Sequence, residues 1–167
     1  MKMDSLNKQE VFDETWMELV AERLSAGQRV RYLKFRGVSM RPMLRQDKDS
    51  VELSPPPEKL KKFDLPVYLR ADGQYVMHRI VAVKENYFLC LGDNTLHFET
   101  IFPEQMIGVV SAFKRGEKRI EVSNLVYQLY CRLWRPTRPV RVLRYKFHVL
   151  LHKIKQLVFV KRTEKKG

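Results

Sequence analysis

Apolar residues recur at helical spacing along residues 5–26. Val11, Trp16, Leu19, Val20, Ala21 and Leu24 form one stripe, with Glu and Asp elsewhere. Asp4 or Ser5 can cap the start, and Gly27 is a natural stop. The pattern predicts an amphipathic helix packed on the domain that follows, or else docked on a partner. From residue 28 the pattern changes. Short alternating or apolar runs recur at Val30–Phe35, Ser50–Leu53, Leu65–Leu69, Tyr75–Val83, Tyr87–Leu91 and Ile107–Phe113. Turn signals separate them: Pro55-Pro56-Pro57, Asp72-Gly73, Glu85-Asn86 and Gly92-Asp93-Asn94. This punctuation predicts a curled, β-barrel-like domain over residues 28–120. The fold class expected is therefore mainly β, α+β overall.

Residues 121–167 turn helical again. Leu125, Leu129 and Leu133 recur every fourth position, beside Val126, Tyr130 and Trp134, until Pro136 and Pro139 break the helix. A second pattern follows at Leu143, Phe147, Leu150, Ile154 and Leu157, flanked by Arg138, Arg141, Arg144, Lys153 and Lys155. The last residues, Lys161–Gly167, are expected to fray. Three segments result: an N-terminal helix over 1–27, a β-rich domain over 28–120 and a basic helical tail over 121–167.

Charge sharpens this division. The chain has 167 residues and a formal net charge of +13. Residues 1–120 hold 20 Lys and Arg against 17 Asp and Glu, whereas residues 121–167 hold 12 against 2. The basicity belongs to the tail, which favours an anionic partner. Nucleic acid is disfavoured, because an apolar stripe at helical spacing points first to packing or to a lipid interface. No run approaches the ~18 apolar residues of a membrane span, and the N-terminus is too polar and acidic for a signal peptide. These features predict a cytoplasmic or peripherally membrane-associated protein. Cys90 and Cys131 lie far apart and outside any CxxC pair, so they read as reduced thiols.

Three short motifs carry candidate chemistry. In Arg36-Gly37-Val38-Ser39-Met40-Arg41-Pro42, a glycine two residues before a serine gives the backbone room to turn sharply, and Pro42 stiffens the exit. Such a turn exposes a hydroxyl beside free backbone N–H groups. In Tyr75-Val76-Met77-His78-Arg79-Ile80, a strand would place His78 on the same inward face as Val76 and Ile80. There it is either a satisfied core histidine or a base in a dry pocket. Gly92-Asp93-Asn94 is a hairpin turn in its own right, or the carrier of a carboxylate that orients His78. His97 reads as a surface residue. His148 and His152 share a helix face but lack further ligands, so no metal is expected.

Taken in order, Ser-Met-x-Pro-x-Leu from Ser39, Phe63-Asp64, His78-Arg79-Ile80, Gly92-Asp93-Asn94, Pro103 and Ile107-Gly108-Val109-Val110 resemble the type I signal peptidases over about residues 35–113. The histidine is similar to the endoplasmic-reticulum-type and sporulation-associated branch; the bacterial housekeeping branch and LexA-type repressors use lysine. The resemblance implies Ser39 as nucleophile, His78 as general base and no cofactor. It implies a carboxylate third member, with Asp93 the better motif match and Glu99 the better positional one. Asp64 matches a Gly-Asp step in which Phe63 replaces the usual glycine. Members of this type carry membrane-spanning anchors; here the basic tail is the candidate substitute, contacting an anionic membrane. Two other functions compete. One is a self-cleaving LexA-like regulator, cut at Ala26-Gly27. The other is a non-catalytic module that binds an anionic surface or partner through its tail.

Overall fold

A computed structural model describes residues 14–134 and, beyond them, residues 136, 137, 139, 140, 142, 143, 147 and 151. The first helix, α1 (Glu14–Ser25), buries Met17, Val20 and Leu24, spaced three and four apart on one face. The inward stripe is rotated from the expected one, because Trp16 and Leu19 face outward. The start expected near residue 5 lies outside the described residues. A two-bond cap closes the other end: Gly27 takes φ 78, its N–H donates to the Leu24 carbonyl, and the Gln28 N–H donates to the Arg23 carbonyl. The helix packs on the sheet, as the first of its two readings expected. A Cβ on Gly108 would lie 2.7 Å from Leu24 Cδ1, so this glycine is where the helix seats.

Nine strands follow among the described residues: β1 (Val30–Leu33), β2 (Ser50–Ser54), β3 (Pro66–Leu69), β4 (Tyr75–Met77), β5 (Arg79–Val83), β6 (Phe88–Leu91), β7 (Glu99–Ile101), β8 (Met106–Arg115) and β9 (Lys118–Glu121). A 3-10 turn over Pro103–Gln105 leads into β8. Helix α2 (Leu125–Trp134) follows β9. The protein is mainly β, as the pattern predicted. All pairings are antiparallel.

The strands form two open sheets rather than a closed barrel. One sheet has the order β1-β2-β8-β3-β4, with β9 also on β8; the other is β5-β6-β7. The ten-residue β8 is the spine of the first sheet. Its one flank pairs with β2, while the other is shared between β3 at Met106–Val109 and β9 at Ala112–Arg115. β1 and β4 stay as edges, because no strand among the described residues joins them to close the curve.

The chain passes from one sheet to the other at a single residue, His78, which interrupts the expected Tyr75–Val83 strand. The cluster of Tyr68, Val76, Ile80, Cys90 and Ile101 draws on both sheets. It joins them through buried apolar area. Among the described residues one compact unit reaches Gln128 and a second begins at Leu129.

Candidate active site

Ser39 sits in the loop between β1 and β2. Gly37 lies at φ 114, a region that favours glycine, and its N–H donates to Gln46 Oε1 at 3.0 Å. A turn closes from the Arg41 N–H to the Val38 carbonyl at 3.1 Å, with Ser39 at its second position. That position donates no turn bond, and the Ser39 N–H meets no acceptor among the described residues. The sharp turn at Ser39 expected from the sequence is present.

His78 occupies the junction between β4 and β5. The expected alternation of faces does not apply, because Tyr75 through Ile80 are all buried. The side chain is only 1% exposed and Ser39 only 4%. His78 Nε2 lies 2.9 Å from Ser39 Oγ. On the other edge of the ring, Nδ1 lies 3.1 Å from Tyr68 Oη and 3.4 Å from Glu99 Oε1. Tyr68 donates to Glu99 Oε2 at 2.7 Å, and Arg70 Nη2 donates to Glu99 Oε1 at 2.8 Å.

These contacts fix the imidazole tautomer. The Tyr68 proton is spent on Glu99, so its oxygen is left to accept. Both groups facing Nδ1 are therefore acceptors, and Nδ1 carries the hydrogen. Nε2 is then the bare nitrogen that accepts the Ser39 proton.

Charge follows the same logic. Burial works to neutralise Glu99, but the His78 hydrogen bond, the charge of that ring whenever it is protonated, the Tyr68 bond and the Arg70 guanidinium outweigh it and hold the carboxyl at about 2. Burial first, and the Glu99 carboxylate second, push the Tyr68 phenol above its ordinary value, so it stays a donor. Burial likewise pushes the Cys90 thiol up to about 12, which excludes it as a thiolate nucleophile near neutral pH.

Of the two carboxylates expected to compete for His78, Glu99 is the one that faces it. Asp93 is engaged elsewhere: its two oxygens take Arg79 Nε at 2.9 Å and Nη2 at 2.8 Å. The reason is its turn. Gly92-Asp93-Asn94 follows β6, whose register sets Leu91 opposite Arg79, so Asp93 meets the guanidinium rather than the imidazole.

The turn still shapes the site through all three residues. Gly92 abuts the imidazole, for a Cβ there would lie 3.0 Å from His78 Nε2 and 2.8 Å from Thr95 Cγ2. Asp93 fixes Arg79, the neighbour of His78. Asn94 grips the nucleophile loop, its N–H donating to the Ser39 carbonyl at 2.6 Å and its Nδ2 to the Val38 carbonyl at 3.2 Å. Arg79 extends the framework to α2 through a 2.8 Å bond from Nη1 to Tyr127 Oη.

Phe63 and Asp64 lock the other approach to His78. The Phe63 N–H donates to the Ile80 carbonyl at 2.8 Å and the Ile80 N–H to the Asp64 carbonyl at 2.9 Å. Phe63 stands at φ 81, the left-handed conformation that a glycine adopts without strain.

His97 is exposed, as read from the sequence. His148 and His152 lie outside the described residues. Tyr68 escaped the sequence reading because it sits in an apolar strand. A signal existed: the Asp72-Gly73 turn folds the two flanking runs into a hairpin, which sets Tyr68 opposite Val76, two residues from His78.

Comparisons with family models, curated proteins and solved structures found no match.

Proposed function

We propose that this chain is a serine endopeptidase of the signal-peptidase type, cutting a peptide or preprotein through an acyl-enzyme. The observation that carries the reading is the 2.9 Å contact between Ser39 Oγ and His78 Nε2, with acceptors on the opposite ring nitrogen. A core histidine needs no buried serine on one nitrogen and an ionised carboxylate network on the other. The motif order supports the same family, and with it the finer fold, the catalytic domain shared by signal peptidases and LexA-type proteins.

In the proposed reaction, the Ser39 hydroxyl attacks the scissile carbonyl carbon as its proton passes to His78 Nε2. The carbonyl oxygen becomes an oxyanion that accepts from the Ser39 N–H. His78 then gives its proton to the departing amine, and the C–N bond breaks. Water attacks the ester, again losing a proton to Nε2, and the acid leaves with Ser39 restored. Glu99 and Tyr68 hold the imidazole and offset its transient positive charge.

A fluorophosphonate probe tests this without knowledge of the substrate. Intact mass and peptide mapping are expected to place one adduct on Ser39. Ser39→Ala should abolish it, and His78→Ala should slow it at least ~100-fold, the usual contribution of a general base. An adduct rate unchanged in Ser39→Ala sinks the proposal. Appearance of a product ending at Ala26 on incubation of the pure protein favours self-cleavage instead.

A further inference from the structure

Helix α2 is apolar on both sides. Tyr127 and Cys131, four apart, are buried on its inward side. Its outward side carries Leu125, Val126, Leu129 and Leu133, which are 84%, 77%, 54% and 59% exposed. A surface helix ordinarily turns polar residues outward, and one apolar all round is covered by something apolar. The pattern continues past the proline break. Val140, Leu143, Phe147 and Leu151 recur at intervals of three, four and four, and all are exposed. Such spacing gathers them on one stripe.

The charge of this region says what covers it. Residues 121–167 carry 12 Lys and Arg against 2 Asp and Glu. A second protein would satisfy the leucines but leave most of this charge to rim contacts. A nucleic-acid backbone would satisfy the charge but has no use for Leu and Val at helical spacing. An anionic bilayer takes both: acyl chains receive the aliphatic stripe, and phosphates receive cations that flank it on flexible stems. No helix among the described residues is long and apolar enough to cross a membrane, so the contact lies in the interface plane.

We propose that α2 forms a docking surface for an anionic lipid bilayer, with Leu125, Leu129 and Leu133 inserted among the acyl chains. The inference is independent of the peptidase reading, and Ser39→Ala should bind as wild type does.

The full chain is tested by co-sedimentation with vesicles of dioleoylphosphatidylcholine alone or mixed equally with dioleoylphosphatidylglycerol. Binding to the mixed vesicles, with little to the neutral ones, is expected. The neutral double substitution Leu129→Gln with Leu133→Gln should cut partitioning at least tenfold while circular dichroism stays unchanged. Leu125→Gln with Val126→Gln, further along the same side, should do likewise and serves if the first pair misfolds. Failure to bind anionic vesicles overturns the proposal. So does undiminished binding by both double variants, which would leave charge alone. Tighter binding to a DNA duplex than to vesicles, unaffected by the glutamines, would assign the cations to nucleic acid instead.

Discussion

Glu99 keeps its charge in half-buried surroundings because three partners converge on it. Its folded value of about 2 lies below the reference 4.5. The ionised carboxylate therefore stabilises the fold above about pH 4.5, and that contribution is lost as pH falls toward 2. Glu99→Gln is expected to destabilise the protein at pH 7 by roughly 1–3 kcal/mol, the cost of stranding partners of a charged group. Urea denaturation should show the gap from wild type closing as pH drops through that window. Gly92 is the other sensitive residue. A methyl there meets Thr95 and the edge of the His78 ring that bears Nε2. Gly92→Ala should slow serine labelling by about tenfold or more, since small displacements of a base are costly, with a smaller change in the urea midpoint. Ser39 and His78 were legible because a glycine-led turn and an apolar strand run set a reactive group in a telling place, whereas Glu99 was legible only through the position that the family resemblance implies. Tyr68 was not, because a hydroxyl on an apolar strand gives no sign until a hairpin turns it toward a partner. Asp93 was legible as important but not in its role, since a turn motif does not say which way its carboxylate points.

At the scale of elements, strong periodicity and turn residues located the helices and six of the strand regions. The two shortfalls have physical causes. β7 spans three residues, too few to show alternation, and β9 is an edge ribbon whose Lys118, Arg119 and Glu121 read as loop. The long Tyr75–Val83 run concealed its own break, because residues 75–81 are buried on both faces and the polar pair His78-Arg79 does not by itself signal a change of sheet. A curled, barrel-like domain was expected from many short strands and the turn signals between them; whether edges meet depends on twist and shear, which a pattern does not encode. Helix α1 offers a quantitative check. Leu24 is buried and seats on Gly108 of β8. Leu24→Ala should cost about 2–5 kcal/mol as a core truncation, measured by urea unfolding. A loss below 0.5 kcal/mol, within the range of ordinary surface changes, would mean that the helix does not stabilise the sheet.

Across the whole molecule, charge and chemistry are segregated. Ser39, His78, Tyr68 and Glu99 lie within residues 39–99, while the surplus of cations lies beyond residue 120. Composition alone made this division visible, but not its meaning. The outward leucines of α2 emerge only when burial separates them from Tyr127 and Cys131. Segregation also makes the two proposals separable by experiment: glutamines on α2 should cut vesicle binding at least tenfold and leave serine labelling at the wild-type rate.

The burial of Ser39 at 4% has a further consequence. On the peptidase reading, a hydroxyl so recessed is more easily reached by a slender extended segment than by a rigid surface loop. For the reaction proposed, disorder in the target would matter as much as its side chains. A cleavage site would survive while its owner stayed folded and be lost once that stretch loosened, making hydrolysis a readout of whether a partner chain has finished folding.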